Sequence, residues 1–449
     1  MKHKPFIVLL IVTLFSTSTN AQTTKGGPYS WNNLPKVNQP VFNKDTFNIL
    51  RFGAIADGIT LNTSGINKAI TTCSEKGGGV VLVPGGLWLT GPIEMKSNVN
   101  LCILRDAIVL FTTDFNQYAL VEGIYEGTRS ARNQSPIYGN NLQNIAITGR
   151  GVIDGNGDVW RMVGRDRLTE SEWKKKVSSG GLVSSDGNMW FPSRKTKLAY
   201  EQKRTAKMEH GQTLNDFEDI KDFLRPNLIV FNNCRTVLLE GVTFQNSPAW
   251  CLHPLFCEDL TIRNVYVKNP DYAQNGDGVD VESCKNVLIE GSTFDVGDDG
   301  ICIKSGKDEE GRKRGKPTEN VIVRNNLVYK GHGGFVIGSE MSGGARNIFV
   351  YDCSFMGTDN GLRFKTARGR GGVVENIYVK NIRMKDIVHD AILFDMYYFM
   401  KPPANNEKVA VPLVTEETPK FQNFYIDSIV CSGAERGIFI RGLPEMSVK

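Results

Sequence analysis

The stretch NGDGVDVESCKNVLIEGSTFDVGDDGICIKSG, Asn275 to Gly306, carries one phrase twice. Asp277-Gly-Val-Asp-Val and Asp299-Gly-Ile-Cys-Ile each set an aspartate before a glycine and then alternate apolar residues. They lie 22 residues apart, and Asp298 adds a carboxyl in front of the second copy. Outward from this pair the phrase recurs as Gly333-Gly-Phe-Val-Ile, Asn360-Gly-Leu-Arg-Phe, Asp390-Ala-Ile-Leu-Phe and Arg436-Gly-Ile-Phe-Ile. Pro248-Ala-Trp-Cys-Leu reads as a weaker copy. The intervals from there on are 29, 22, 34, 27, 30 and 46 residues. A second phrase, Asn-apolar-x-apolar, interleaves with the first and begins at Asn144, Asn286, Asn320, Asn347, Asn376 and Asn423.

Short strands recurring at an irregular period, with no helical pattern between them, describe stacked coils. One coil cannot bury its own apolar side. Stacking builds a continuous core and places like residues above one another, so the asparagines should form a ladder inside a turn. A propeller would need four strands per blade and a sandwich would need hairpin turns; neither fits as well. The fold class is therefore all-β, a single-stranded parallel β-helix. At its front, Phe47 to Phe52 reads as a first strand, and Thr63 reads as the cap of a helix that closes the open end of the stack. Ile66, Ile70 and Cys73 share one face of that helix.

The 449 residues include 46 glycines, as many tight turns require. Lys2 and Lys4, the apolar run Phe6 to Phe15 and Thr19-Asn20-Ala21 read as a signal peptide over residues 1–21, directing export to the periplasm or the outside. Residues 22–46 form an N-terminal extension and 47–449 the β-helix catalytic domain. Within it, residues 160–224 are a charged, helix-permissive insertion, either a solvated decoration or a wall at one end of a groove. The nine cysteines show no paired spacing of a zinc or redox site. Ser342-Gly-Gly lacks the strand-to-helix setting of a phosphate loop. No cofactor and no metal are expected. A formal charge of +5 supports an acidic partner only weakly. Nothing interleaves aromatic and basic residues as a nucleic-acid surface would, and no segment is long enough to span a membrane.

Neighbouring parallel strands lie about 4.8 Å apart, so aligning the phrase sets Asp277 one coil from Asp299. Asp298 stands at the same turn, His332 aligns with it on the next coil, and Arg363 and Lys365 follow one coil later. Strand parity sends Val279, Val281, Ile301 and Ile303 inward. Asp280, Glu282, Cys302, Lys304, Arg363, Lys365 and His253 point outward, so acid, histidine and base share one exposed face. Any one Asp-Gly is explained by turn chemistry. Three aspartates, a histidine and two cations on one face suit glycoside hydrolysis, which needs one protonated carboxyl and one carboxylate. Crowded carboxylates push their pKa values apart, and a cationic pair can hold an anionic sugar. His253 is either a substrate contact or a satisfied surface histidine. Tyr397 is either a flat surface for a sugar or local packing.

At these residues the chain resembles the polygalacturonase family of glycoside hydrolases, family 28. Asn275-Gly276-Asp277 is similar to the family's Asn-Thr-Asp motif, and Asp298-Asp299 to its Asp-Asp. Gly331-His332-Gly333 is similar to its Gly-His-Gly, and Arg363-Phe364-Lys365 to its Arg-Ile-Lys. FGAIADGITLNTSGINKAI also resembles the family's start. The resemblance implies a right-handed β-helix that cleaves α-1,4-galacturonosidic bonds of pectin with inversion. It implies that Asp298 is the general acid, that Asp277 and Asp299 activate water, and that His332 supports the acid. Arg363 and Lys365 would bind a galacturonate carboxylate, and Asn275 would shape the site or touch the sugar. Gly276 and Phe364 depart from the family pattern without supplying reacting atoms. The insertion resembles loops of exo-acting bacterial members, which favours exo action. The expected partner is a pectic polysaccharide or oligogalacturonide, and the chain is read as a monomer.

Three alternatives stay open. One is a hydrolase of rhamnogalacturonan or another pectic polymer. Another is a lyase on the same scaffold, with the aspartates as calcium ligands. The third is a β-helix that binds carbohydrate without turning it over.

Overall fold

The computed structural model describes residues 28–402 and 410–449; the expected signal peptide lies outside them. The architecture is the parallel β-helix read from the repeats. A typical coil has three strands, as in Lys285–Glu290, Thr293–Asp295 and Asp299–Lys304. The third strands form a ten-stranded parallel sheet from Ile93–Glu94 to Arg436–Arg441. The first and second strands merge into a nineteen-stranded sheet because the long strand Val373–Lys385 bends through both faces.

The phrase alignment matches the register. Val279 pairs with Ile301, Ile301 with Phe335, Phe335 with Leu362, Leu362 with Ile392, and Ile392 with Ile438. Only the weak copy was misplaced. Leu252 pairs with Val279, so the copy is Trp250-Cys-Leu-His-Pro, two residues later than read. A slip of two conserves parity, which leaves the facing of each side chain unchanged. Close approach imposes the glycines Gly278, Gly300, Gly334 and Gly361, whereas the copy at Asp390 carries Ala391 and Gly437 has open space around it. A Cβ on Gly278 would meet the Gly300 carbonyl oxygen at 2.4 Å, and one on Gly334 would meet the Phe355 ring at 2.4 Å.

The asparagine ladder is present. Asn320 donates to Asn286, Asn347 to Asn320, Asn376 to Asn347 and Asn423 to Asn376, at 3.0 to 3.5 Å. Every rung has φ near +57°, the left-handed region that asparagine tolerates better than other side-chain-bearing residues. The strand pairing steps over each rung, so its side-chain amide makes the coil-to-coil contact there.

At the front, the first strand is shorter than expected. Thr46–Asn48 is extended and Ile49–Phe52 turns into a 3₁₀ segment. The closing helix runs Thr63–Glu75, with Ile66, Ile70 and Cys73 fully buried on its inner face. Thr63 is its first residue rather than its cap; its hydroxyl accepts from the Gly91 amide instead. Residues 28–45 run lengthwise along the outside of the stack. Asn38 donates to Asp259 and Gln39 to Thr261, while Trp31 packs edge-on against Phe349, Tyr351 and Tyr378.

Besides the short helix Asp308–Arg314, two larger segments leave the coil rhythm. The insertion holds a three-stranded antiparallel sheet and the helices Glu170–Ser178 and Arg194–Glu201, the first closed by a Thr169–Glu172 capping box. The second is an antiparallel hairpin, Leu120–Tyr125 with Thr128–Asn133, which the sequence reading did not separate from the coils. The two are packed together: Ala131 of the hairpin shares a small core with Ala199, Met208, Phe217, Ile220 and Leu224 of the insertion. All nine cysteines are free thiols. No helix among the described residues is long and apolar enough to cross a membrane.

Candidate active site

The ten-stranded sheet delivers the aspartates to one place. The Gly278 amide donates to the Asp299 carbonyl and the His332 amide to the Asp298 carbonyl, both at 3.0 Å, which sets three successive coils in register. One carboxylate oxygen from each of Asp277, Asp298 and Asp299 then lies within 4.8 Å of the others.

The three differ in surroundings. Asp298 is the most open, with its side chain 19 % exposed, and its Oδ1 lies 2.9 Å from His332 Nδ1. Asp299 is buried, and its two oxygens are taken by Arg363 at 3.1 Å and Lys365 at 2.7 Å. Burial alone would push the Asp299 carboxyl up, but Lys365 and then Arg363 pull it well below the usual carboxylate range. Asp277 is buried with one oxygen lacking any hydrogen-bond partner. Burial first, then the charges of Asp280 and Asp298, push its carboxyl well up. Asp277 and Asp299, on adjacent coils, thus favour opposite protonation states. The hydrogen bond to Asp298 raises His332 above its ordinary value.

Arg363 and Lys365 share the outward face as the sequence reading had them, and their first partner is Asp299. Each keeps further donors, since an ammonium has three and a guanidinium five. The ring beside them belongs to Tyr398, 5.6 Å from the Arg363 guanidinium and 5.0 Å from the Lys365 ammonium. Tyr397 is buried against Arg368 and Arg441. Asn275, at φ +52°, accepts from Arg225 at 2.8 Å. Gly276 has a steric reason: a Cβ there would meet Ala273 at 2.7 Å.

The outward face is not uniformly exposed, and His253 is the clearest correction. It points outward as parity requires, yet it is fully buried. Asn227 and Glu282 hold its two nitrogens at 3.1 and 3.0 Å, and Trp250 packs on its edge. It is neither at the surface nor open to a ligand. Asp280, Glu282, Cys302 and Lys304 are covered too. Lys304 pairs with Glu340 at 2.9 Å and stands 3.6 Å from Asp280. Parity identifies the face of a sheet, but the hairpin and the segments after the strands decide which part of it is covered. Glu340 and Arg225 escaped the sequence reading because no repeat phrase marks them.

Comparison with known proteins follows the same residues. The family model for glycosyl hydrolases family 28 matches residues 173–418, more than half of the chain. A probable polygalacturonase of Vitis vinifera is 30 % identical over 347 residues, covering 75 % of this chain and 60 % of the relative. An exo-poly-alpha-D-galacturonosidase of Dickeya chrysanthemi is 27 % identical over 404 residues, covering 86 % of this chain and 61 % of the relative. The chain thus spans about three fifths of the length of these two relatives. The crystal structure of a hyperthermoactive exopolygalacturonase from Thermotoga maritima superposes with a TM-score of 0.73 at 34 % identity, covering 91 % of this chain and 85 % of that one. With its coil stack, its aspartate cluster and a family match over the segment that bears them, this chain belongs to glycosyl hydrolases family 28.

Proposed function

We propose that the protein is an exported exo-acting polygalacturonase that hydrolyses α-1,4-galacturonosidic bonds of pectin. The observation that carries this reading is the convergence of Asp277, Asp298 and Asp299 beside Arg363 and Lys365. Asp298, the open carboxyl steadied by His332, gives its proton to the leaving glycosidic oxygen. Asp277 and Asp299 hold the water between them, and Asp299, kept ionised by its two cations, takes the proton. The remaining donors of Arg363 and Lys365 hold a substrate carboxylate. Asn275 shapes the turn before Asp277. The insertion and the hairpin it packs against form a wall on one side of the site, which suits attack from a chain end. The exo-acting relatives in Dickeya and Thermotoga support the same direction. The covalent outcome is a C–O bond broken at the anomeric carbon and a new one made to water.

Attack by water from the opposite face inverts the anomeric centre. Proton NMR of the first product tests inversion by its anomeric configuration.

The test is incubation with polygalacturonate and chromatography of the earliest products. Monomer alone is expected. A ladder of oligomers would mean endo action, unsaturated ultraviolet-absorbing ends would mean a lyase, and binding without product would refute hydrolysis.

A further inference from the structure

We infer that Arg132 and Arg225 form a second carboxylate-binding site, on the other side of the aspartates from Arg363 and Lys365, so that two uronate carboxylates flanking the cut bond are held at once. The inference rests on the hydrolase reading above and gives its substrate a required charge spacing.

The site is a cavity of about 530 Å³ whose lining includes Tyr125, Arg132, Lys207, Arg225, Asn275 and Lys307. That volume accommodates a sugar ring and its carboxylate. The two arginines are placed by the small core shared between hairpin and insertion: Arg132 follows buried Ala131, and Arg225 follows buried Leu224. The Asn133 amide donates to the Leu224 carbonyl at 3.2 Å, and its side chain donates there at 2.9 Å, which ties the two backbones together. Neither guanidinium is free to swing away.

Neither has a counter-ion. Arg132 lies over the Tyr125 ring at 3.6 Å and reaches Asn227 at 3.5 Å; no carboxylate is within ion-pair distance among the described residues. Arg225 donates to the carbonyls of Pro248 and Gln274 and to Asn275 Oδ1, all neutral. Arg204 and Lys207 on the same wall are already paired, with Asp219 and Glu209. Glu126 and Asp308 also border the cavity, outside ion-pair distance of both arginines, and Asp308 is paired with Arg370. Burial pushes Arg132 down to about 10; the charge of Arg225 adds to the effect, and Tyr125 and Glu126 oppose it. Two guanidiniums held close without an anion are costly, and a bidentate carboxylate removes the cost.

The cavity adjoins the reaction centre. Arg225 grips Asn275, two residues before Asp277. Burial and then Glu126 push the Tyr125 hydroxyl up, and Asp277 is near enough to contribute. Arg363 and Lys365 lie on the coil sequence beyond Asp299, whereas the hairpin and the end of the insertion lie before it. A polymer with a uronate at every residue places carboxylates on both sides of the cut. A polymer alternating uronate with a neutral sugar reaches only one set, as does a chain methyl-esterified at the matching residue.

The test is binding of trigalacturonate to the full chain carrying Asp298→Asn, by calorimetry, beside three ligands with one carboxyl each as the methyl ester. An ester at the matching position should weaken binding roughly 10- to 100-fold, the range for one lost charged hydrogen-bond pair. Adding Arg132→Leu should weaken the acid equally and leave the matching ester no weaker than it already is. Arg132→Lys should restore part of the affinity, which a merely structural role would not predict. Loss of affinity that adds to every ester alike, or no discrimination among esters, would overturn the inference. If wild type cleaves no galacturonan yet this coupling holds, the carboxylate site stands and the hydrolase reading falls.

Discussion

Asn320→Ala tests whether the asparagine ladder holds the coils together. Asn320 is 6 % exposed, donates to Asn286 at 3.0 Å and accepts from Asn347 at 3.1 Å. Alanine removes both bonds and orphans both partners, at roughly 1–2 kcal/mol each in this buried setting. Alanine keeps the Cβ that asparagine already sets at φ +60°, a steric cost of about 1–2 kcal/mol that only glycine avoids. The loss against wild type is about 2–4 kcal/mol. Asn320→Gly loses the same bonds without the backbone penalty, so it should cost about 1–2 kcal/mol less. That gap is roughly a 5- to 30-fold difference in the folded-to-unfolded ratio. The assay is guanidinium unfolding of wild type and both variants, followed by far-ultraviolet circular dichroism. If glycine and alanine are equally harmful, the left-handed conformation carries no weight. If both lie within about 0.5 kcal/mol of wild type, the range for an indifferent surface change, the ladder is decorative.

Asp298→Asn should lower hydrolysis about 10²- to 10⁴-fold with unchanged circular dichroism, and most of the activity surviving would remove Asp298 from the acid role. His332 is raised above 6.5 by its bond to Asp298, so its charge and the stability it lends are complete below that value and are lost as pH climbs through the folded value. Activity should therefore fall on the alkaline side, and His332→Gln should abolish that limb; a pH–rate profile unchanged in the variant would contradict this. Trp31→Ala removes three edge-on ring contacts and the Lys380 ammonium 3.9 Å from the Trp31 ring centre, and should cost about 1–3 kcal/mol for a half-buried tryptophan. Faster unfolding in guanidinium would show it; an unchanged rate would mean that residues 28–45 do not brace the stack.

The repeat phrases and their intervals by themselves determined the coil stack and the register of its strong copies, because stacking demands that like residues lie over like and alternation allows only one facing. The weak copy at Trp250 slipped by two residues, since Pro254 and Trp250 blur the apolar alternation that marks the others. The same stacking brought Asp277, the pair Asp298-Asp299 and His332 together on paper, as these lie on three successive coils one strand spacing apart. Which outward side chains meet solvent was decided by tertiary structure. His253, Asp280 and Lys304 share the facing of Arg363, yet other parts of the chain cover them. The meeting of Arg132 with Arg225 likewise had no signal in the chain. It depends on a hairpin and an insertion that follow no repeat and pack through a small core of their own, and contact between non-repeating segments is set by side-chain packing rather than by period.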